Sequence, residues 1–181
     1  MSKTDLFFPF NPKFCAQKPR WPSGPWHNEP DLGAFEVAGL RCAIIRHPEL
    51  GHLCGYVHVP SGHPLDGVSS SAHVGIPLAF REFLRKPTGP MPLFFNENNE
   101  PCVEALLELQ LHVHGGIRYS KHIAEGSGKG TWFGFNCCRC GDRAPGNTHS
   151  APGEEYRDWE YVVGETEMLA EQLAAWPGVS G

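Results

Sequence analysis

The chain has no long hydrophobic run and no surplus of positive charge. No apolar stretch approaches the roughly 20 residues that a membrane-spanning helix needs. Prolines interrupt the aromatic patch near the N-terminus, which makes it a poor signal peptide. Aspartate and glutamate (20 residues) outnumber lysine and arginine (15 residues), and the net charge is −5. Because binding along a nucleic-acid backbone needs a basic surface, we expect neither an extended nucleic-acid partner nor a membrane partner.

Cysteine is present but has no regular spacing. The seven cysteines are an odd number without the pattern of a disulfide scaffold. This favours free thiols in a reducing cytoplasm. Cys137 and Cys140 form a single C-x-x-C in "NCCRCGD", whereas a structural zinc site normally has a second pair of ligands. We predict that these thiols are structural or incidental, and we predict no bound metal and no cofactor.

Turn-forming residues and a moderate apolar content indicate a folded chain of short elements. The 181 residues include 21 glycines and 17 prolines, and 40% are hydrophobic. This composition favours turns over a helical bundle, and the length fits one domain. Residues 1–34 carry repeated prolines around Trp21 and Trp26. We expect them to form an arm that packs on a core made by residues 35–181.

Hydrophobic periodicity predicts the fold class. Residues near 35–60, 108–119 and 131–138 alternate between apolar and polar side chains, which is typical of strands. Residues 154–176 repeat apolar side chains every three or four positions, which is typical of an amphipathic helix. The sequence therefore predicts an α+β fold, with a mainly antiparallel sheet covered by the C-terminal helix.

Three local features refine this prediction. Residues 77–86 have the composition of a second, short helix. Glu154 and Glu155 suit the positive N-terminal end of the long helix. Arg157 and Asp158 come shortly afterwards. An arginine–aspartate pair at a helix start is most often an ion pair that is solvated or that locks the local structure.

The stretch "LHVHGGIRYS" holds the most informative polar residues. On a strand, His112 and His114 project from one face and form half of a metal site, or they serve separately as a surface and a pocket residue. Gly115 and Gly116 let backbone N–H groups approach an anion, or they simply allow a bend. We predict that this stretch lines a ligand pocket through His114 and is not primarily a metal site.

Four other positions are candidates for the same pocket. His52 and Tyr56 share the polar face of a predicted strand. His63 precedes a proline that restricts its backbone, so it is a positioned acid, base or ligand donor, or it caps a turn. Asp142 follows a glycine, and it either caps a turn or accepts a hydrogen bond in the site.

Several motifs together resemble a known group of proteins. The segments "GHLCGYVHVPSGHPL", "VHGGIRYS", "WFGFNCCRCGD" and "YRDWEYVVGETEMLAEQL" are similar, in this order, to those of small uncharacterised phage and prophage proteins. The resemblance covers about residues 40–175 and implies a phage-type origin. This chain has Arg118, Asn136 and Arg139 where the group favours threonine, aspartate and histidine. These changes favour a retuned pocket for a more anionic ligand.

The sequence leaves two main functions open. The first is a soluble protein that binds a small polar ligand, nucleotide-like or phosphorylated, and sequesters a host immune signalling nucleotide in the host cytoplasm. The second is a hydrolase or phosphodiesterase, metal-assisted or not, in which a histidine is the ligand or base and Asp142 orients it. A virion or interaction protein without a pocket is a third reading, and a homo-oligomer is compatible with all three. The predicted ligand-binding residues are His52, Tyr56, His63, His114, Gly115, Gly116, Arg118, Tyr119, Trp132, Asn136 and Asp142.

Overall fold

The computed structural model describes residues 18–75, 104–126, 128–149 and 151–176. Two short 3-10 turns begin the described chain, at Lys18–Arg20 and Pro25–His27. The strands are β1 (Leu32–Val37), β2 (Leu40–Arg46), β3 (Leu53–Pro60), β4 (His73–Gly75), β5 (Glu104–Leu106), β6 (Tyr119–Ile123) and β7 (Gly130–Asn136). The helices are α1 (Leu107–Gln110) and α2 (Trp159–Ala174).

Five strands form one antiparallel sheet in the order β1-β2-β3-β7-β6, and β4 pairs with β5 separately. The predicted strands on either side of Ala38-Gly39 form a hairpin. Both turn residues have positive φ, as the tight turn between two twisted strands requires. The turn after β2 is also where the sequence placed it, so β1 to β3 confirm the prediction for residues 35–60.

Helix α2 covers one face of the sheet and closes the core. Leu53, Val57 and Phe133 are completely buried among the helix residues Val162 and Leu169. Gly55 allows the close approach of the helix, because a Cβ there would lie 2.4 Å from Thr166 Oγ1. The predicted α+β fold, an antiparallel sheet covered by the C-terminal helix, is confirmed.

The described part of the N-terminal arm is fixed to the body by a buried arginine. The guanidinium of Arg46 donates to Asp31 (2.8 Å), Glu29 (2.7 Å) and the carbonyl of Pro30. It also donates to the carbonyl of Gly51 and to the hydroxyl of Tyr156. We call this set the Arg46 network. Beside it, Trp21 and Trp26 are buried and pack with Tyr156.

The predicted strand over residues 108–119 is wrong for most of its length. Residues 107–110 form the short helix α1, residues 111–118 have no regular structure, and only Tyr119 onward pairs in the sheet. Leu107 and Leu111 are buried four positions apart, which is helical spacing. Gly115 and Gly116 then turn the chain with positive φ. His112 and His114 therefore do not share a strand face.

The long helix begins five residues later than predicted. Asp158 caps it by accepting a hydrogen bond from the backbone N–H of Tyr161. Glu155 instead forms an isolated bridge with Asp142, which holds it outside the helix. The predicted pair of Arg157 with Asp158 does not form, because Arg157 contacts Asp142 and Glu155.

The structure describes only part of the chain, which limits what it says about the predicted second helix and about the cysteines. The short helix over residues 77–86 lies outside the described residues. Among the residues that are described, the five cysteines are free thiols, as expected. No helix within the described ranges is both long enough and apolar enough to cross a membrane.

Candidate functional site

A buried carboxylate organises the polar residues at one end of the sheet. Asp142 accepts hydrogen bonds from Nε2 of His114 (2.7 Å), from the backbone N–H of Arg139 (2.9 Å) and from Nε of Arg157 (3.1 Å). Burial opposes its ionisation, but these donors outweigh burial and lower the pKa of Asp142. Asp142 is therefore a charged acceptor that fixes the groups around it.

His114 links this carboxylate to the helix. Its Nε2 forms a hydrogen bond with Asp142, and its Nδ1 forms one with the hydroxyl of Tyr161 at 3.0 Å. Its backbone N–H donates to Glu165 at 2.6 Å. Burial is the main cause that raises the pKa of Tyr161, and the charge of Glu165 adds to it, so the phenol stays protonated. Both ring nitrogens of His114 are occupied, which leaves no lone pair for a metal ion.

The local chain path explains this arrangement. β7 ends at Asn136, and the chain turns through Gly141, whose φ is +92°. Asp142 then pairs with Glu155, which brings the residues before α2 against the turn after β7. Helix α2 begins directly afterwards, at its cap Asp158. Its first turn therefore lies beside His114, which contacts Tyr161.

Gly115 is required where it stands. Its φ is +64°, and the backbone N–H of Gly116 closes a tight turn onto the carbonyl of Val113. A Cβ on Gly115 would lie 2.7 Å from Nε of Arg139. The backbone of the turn therefore packs directly on the guanidinium of Arg139.

Arg139 differs from the residues around it because part of its guanidinium has no hydrogen-bond partner among the described residues. Its Nε and Nη2 atoms are buried and have no hydrogen-bond partner among the described residues. Within the same described ranges, Nδ1 of His52 and Oδ1 of Asn136 also lack partners. Buried polar atoms are normally paired, so four unpaired atoms in one region call for an explanation.

These atoms lie at the same end of the sheet. Asn136 is opposite Cys54, two residues beyond His52, and the backbone N–H of Cys137 donates to the carbonyl of Leu53. The ring of His52 is 4% exposed and stacks on His47, with ring centroids 4.8 Å apart. We call His52, His114, Asn136, Arg139 and Asp142 the Arg139 cluster.

The electrostatics of His52 support this grouping. Burial, and next the neighbouring His47, lower the pKa of His52 to about 4, whereas the charge of Asp142 opposes the shift. Arg139 acts in the same direction as His47. His52 is therefore a neutral ring at physiological pH, and Arg139 is the cation beside it.

Three other predicted residues form a separate group on the sheet. The rings of Tyr56 and Tyr119 meet edge to face at 5.4 Å, and Trp132 lies beside His58 at 5.1 Å. Tyr56 is four residues from His52, which is about 13 Å along a strand. The aromatic group therefore lies away from His52, but Tyr56 shares a sheet face with Asn136, which pairs with Cys54 two residues before Tyr56.

His63 and Arg118 also lie away from the cluster. Nδ1 of His63 accepts from the backbone N–H of Leu65, and its Nε2 donates to the carbonyl of Leu173 at 2.9 Å. This is the turn-capping alternative, and Leu173 lies roughly 18 Å along the helix from Tyr161. The side chain of Arg118 is half exposed, and its nearest carboxylate is that of Glu108 at 4.0 Å.

Two helix residues that contact the Arg139 cluster were not predicted from the sequence. Tyr161 and Glu165 are one helical turn apart, and both contact His114. The segment "YRDWEY" contained part of the signal, since Arg157 is its second residue and Tyr161 is its last. Arg139 was noted only as a departure from the motif of the phage group.

Comparisons of the chain with protein-family models, with curated proteins and with solved structures found no match. The function must therefore be argued from the site itself.

Proposed function

We propose that this chain binds a small ligand through a carboxylate or phosphate group held by the Nε–Nη2 edge of Arg139. The observation that carries the proposal is that this edge is buried and has no partner among the described residues. Its two N–H groups point the same way and match two oxygens of one oxyanion. Each buried donor without a partner costs about 1–3 kcal/mol, which a bound oxyanion would recover.

Access to the edge involves the glycine turn. Gly115 packs against Nε of Arg139, so a ligand reaches the edge when the turn at Gly115 and Gly116 moves or the arginine side chain swings out. Glycine has no Cβ, so residues 115 and 116, which both have positive φ here, can also adopt other backbone conformations at low cost. His52 and Asn136 supply polar atoms for the rest of the ligand.

A finer form of the proposal follows from the resemblance of the motifs. In that form the protein is phage-encoded, acts in the host cytoplasm and sequesters a nucleotide that signals in host immunity. Arg139 would hold the phosphate of such a nucleotide.

Calorimetric titration tests the proposal with three probes: a 3′,5′-cyclic nucleotide, a 5′-nucleotide and acetate. His114→Ala should weaken binding by about 1–3 kcal/mol, because His114 orients Asp142 and the glycine turn. Gly115→Val should do more harm, because its side chain would collide with Arg139. His112→Ala is the matched control, since His112 is exposed and its backbone bonds to Gln172, and it should bind like the wild type. Absence of binding by the wild type, or equal binding by all variants, would refute the proposal.

Hydrolysis is a second candidate, and one observation favours it. Asp142, His114 and Tyr161 form a hydrogen-bonded chain of carboxylate, imidazole and hydroxyl, which is an arrangement used for proton transfer. Tyr161 also lines a shallow, open depression on the surface of α2. Four glutamates line the same depression, so it disfavours an anionic substrate: Glu160, Glu165, Glu167 and Glu171. We therefore place binding first.

The recovered ligand distinguishes the two functions in the same experiment. Unchanged nucleotide after incubation with the protein supports binding. A hydrolysed product that disappears in the Tyr161→Phe variant supports the second candidate.

A further inference from the structure

We propose that the Arg139 cluster selects a singly charged oxyanion, either a carboxylate or a phosphodiester, and rejects a doubly charged phosphate monoester. This inference rests on the proposed function and specifies the ligand class of the same site. It depends on how the charges of the cluster are already compensated.

Arg139 supplies the only side-chain cation of the cluster whose donors are left over. Arg157, the other nearby guanidinium, already donates to Asp142 (3.1 Å) and to Glu155 (2.7 Å). Arg46 also acts on His52, but its charge is matched by Glu29 and Asp31 in the Arg46 network. One guanidinium edge is therefore available for a ligand.

The remaining polar groups cannot neutralise a second negative charge. His52 is a neutral ring because burial disfavours its protonated form. His114 is bonded at both nitrogens, and its backbone N–H is taken by Glu165. The start of α2 is positive, but the cap Asp158 and the first-turn residue Glu160 offset it.

Nearby carboxylates make a second ligand charge more costly still. Asp142 is ionised and largely buried beside the Arg139 backbone. Glu165 and Glu155 border the same region, although Glu155 is mostly exposed and therefore screened. A buried charge without a partner is strongly unfavourable, so a dianion would lose its hydration without gaining a second cation from the members of the Arg139 cluster.

The shape of the edge agrees with this charge count. The Nε and Nη2 hydrogens of a guanidinium lie in one plane and accept two oxygens that are bonded to one atom. A carboxylate and the two unesterified oxygens of a phosphodiester both present such a pair with one negative charge. The shared chemistry is therefore a singly charged pair of geminal oxygens.

The test compares dimethyl phosphate, methyl phosphate and acetate as probes. The resonance of the Arg139 Nε–H group, in protein labelled at arginine with ¹⁵N, reports binding to the edge directly. Near pH 8 methyl phosphate is mostly a dianion, because its second pKa is about 6. We expect dimethyl phosphate to bind at least about tenfold more tightly than methyl phosphate at this pH, a difference of about 1.4 kcal/mol.

Lowering the pH isolates the effect of charge. At about pH 5 methyl phosphate is mostly a monoanion, and its affinity should rise to that of dimethyl phosphate, whose own affinity should not change. The ratio of the affinities for acetate and dimethyl phosphate identifies which oxyanion the site prefers. Arg139→Lys keeps the charge but lacks the two-donor edge, and it should weaken both monoanions.

The possible failures are distinct. If no probe shifts the Arg139 resonance, both the proposed function and this inference fail. If methyl phosphate binds as tightly as dimethyl phosphate near pH 8, and Arg139→Lys weakens both, the proposed function stands and the charge selection is wrong. If binding is unaffected by Arg139→Lys, the edge is not the receptor and both proposals fall.

Discussion

Arg46 and Arg139, two of the described arginines, have buried donor groups, and they differ in how those donors are used. Arg46 is 1% exposed, and its three nitrogens donate to two carboxylates, two carbonyls and one phenol. Arg139 has two buried nitrogens without partners among the described residues. A guanidinium whose donors are all used holds structure together, whereas an unused buried edge calls for an explanation, and a ligand is the one that we propose.

The two regions also differ in the segments that they connect. The Arg46 network joins the N-terminal arm to β2 and to the residues before α2, because Glu29 also accepts hydrogen bonds from Tyr156 and from the backbone of Trp159. The Arg139 cluster joins the turn after β7 to the glycine turn and α2. The arm therefore helps to fix the segment that carries Arg157, and stability in one region supports geometry in the other.

The largest expected effect is the loss of the Arg46 network. Arg46→Met should lower the free energy of unfolding by about 3–5 kcal/mol, because it leaves Glu29 without its buried cation and removes the donors to Pro30 and Gly51, while Asp31 keeps Lys18. Urea denaturation followed by tryptophan fluorescence measures this, since Trp21 and Trp26 lie in the arm. Arg20→Met is the control: Arg20 is exposed on the same arm, and the change should stay within about 0.5 kcal/mol. A small effect at Arg46 would remove the contrast between the two arginines.

A slightly smaller effect is expected from pH acting on His52. The pKa of His52 is lowered in the folded protein from 6.5 to about 4. Between these two pH values His52 is therefore protonated in the unfolded chain and neutral in the folded protein. The stability associated with the neutral ring is complete above about pH 6.5 and is lost as the pH falls toward 4, by roughly 3 kcal/mol. Urea denaturation across this range should show a steeper slope in the wild type than in His52→Gln, where His58, whose pKa burial also lowers, still contributes.

The control for this pH effect is His112→Gln, because His112 is exposed. That variant should keep the slope of the wild type. An identical slope in His52→Gln would show that other groups produce it and that His52 is not a buried neutral ring.

The smallest expected effect sharpens the comparison most. Arg139→Met should change the free energy of unfolding by less than about 1 kcal/mol, or should raise it, because it removes buried donors that have no partners. Loss of its packing on Gly115 opposes this gain. The same urea experiment measures it beside Arg46→Met. Equal destabilisation by the two substitutions would mean that the edge of Arg139 is satisfied in the free protein.

The sequence predicted the elements whose burial follows the period of their backbone. Val57, Val59 and Leu53 alternate with polar residues on β3, and their pattern identified the strand. Leu109, Leu111 and Val113 alternate in the same way, yet α1 and an irregular segment occupy this region. There the spacing of four residues between Leu107 and Leu111 and the positive φ of the glycine pair prevailed over the alternation. Alternation over a few residues does not distinguish a strand from a helical turn that leads into a loop.

The candidate site was only partly accessible to prediction. His114 and Asp142 were identified because glycines next to them allow special backbone conformations. The contact between them was not predictable from spacing, since 28 residues separate them in the chain. Tyr161 is 47 residues from His114 and follows a helical pattern that by itself indicates only packing.

By itself, the sequence determined the fold class, the hairpin strands and the amphipathic C-terminal helix, because each depends on local periodicity and turn residues. Only the tertiary structure decided which polar residues meet: it paired the ring of Tyr56 with that of Tyr119 and the ring of Trp132 with that of His58, and it placed His63 at the far end of α2. It also decided that the donors of Arg46 are used and that two donors of Arg139 have no partner among the described residues. Whether a buried polar group is satisfied depends on partners that are distant in the chain, and those partners meet only when the core closes.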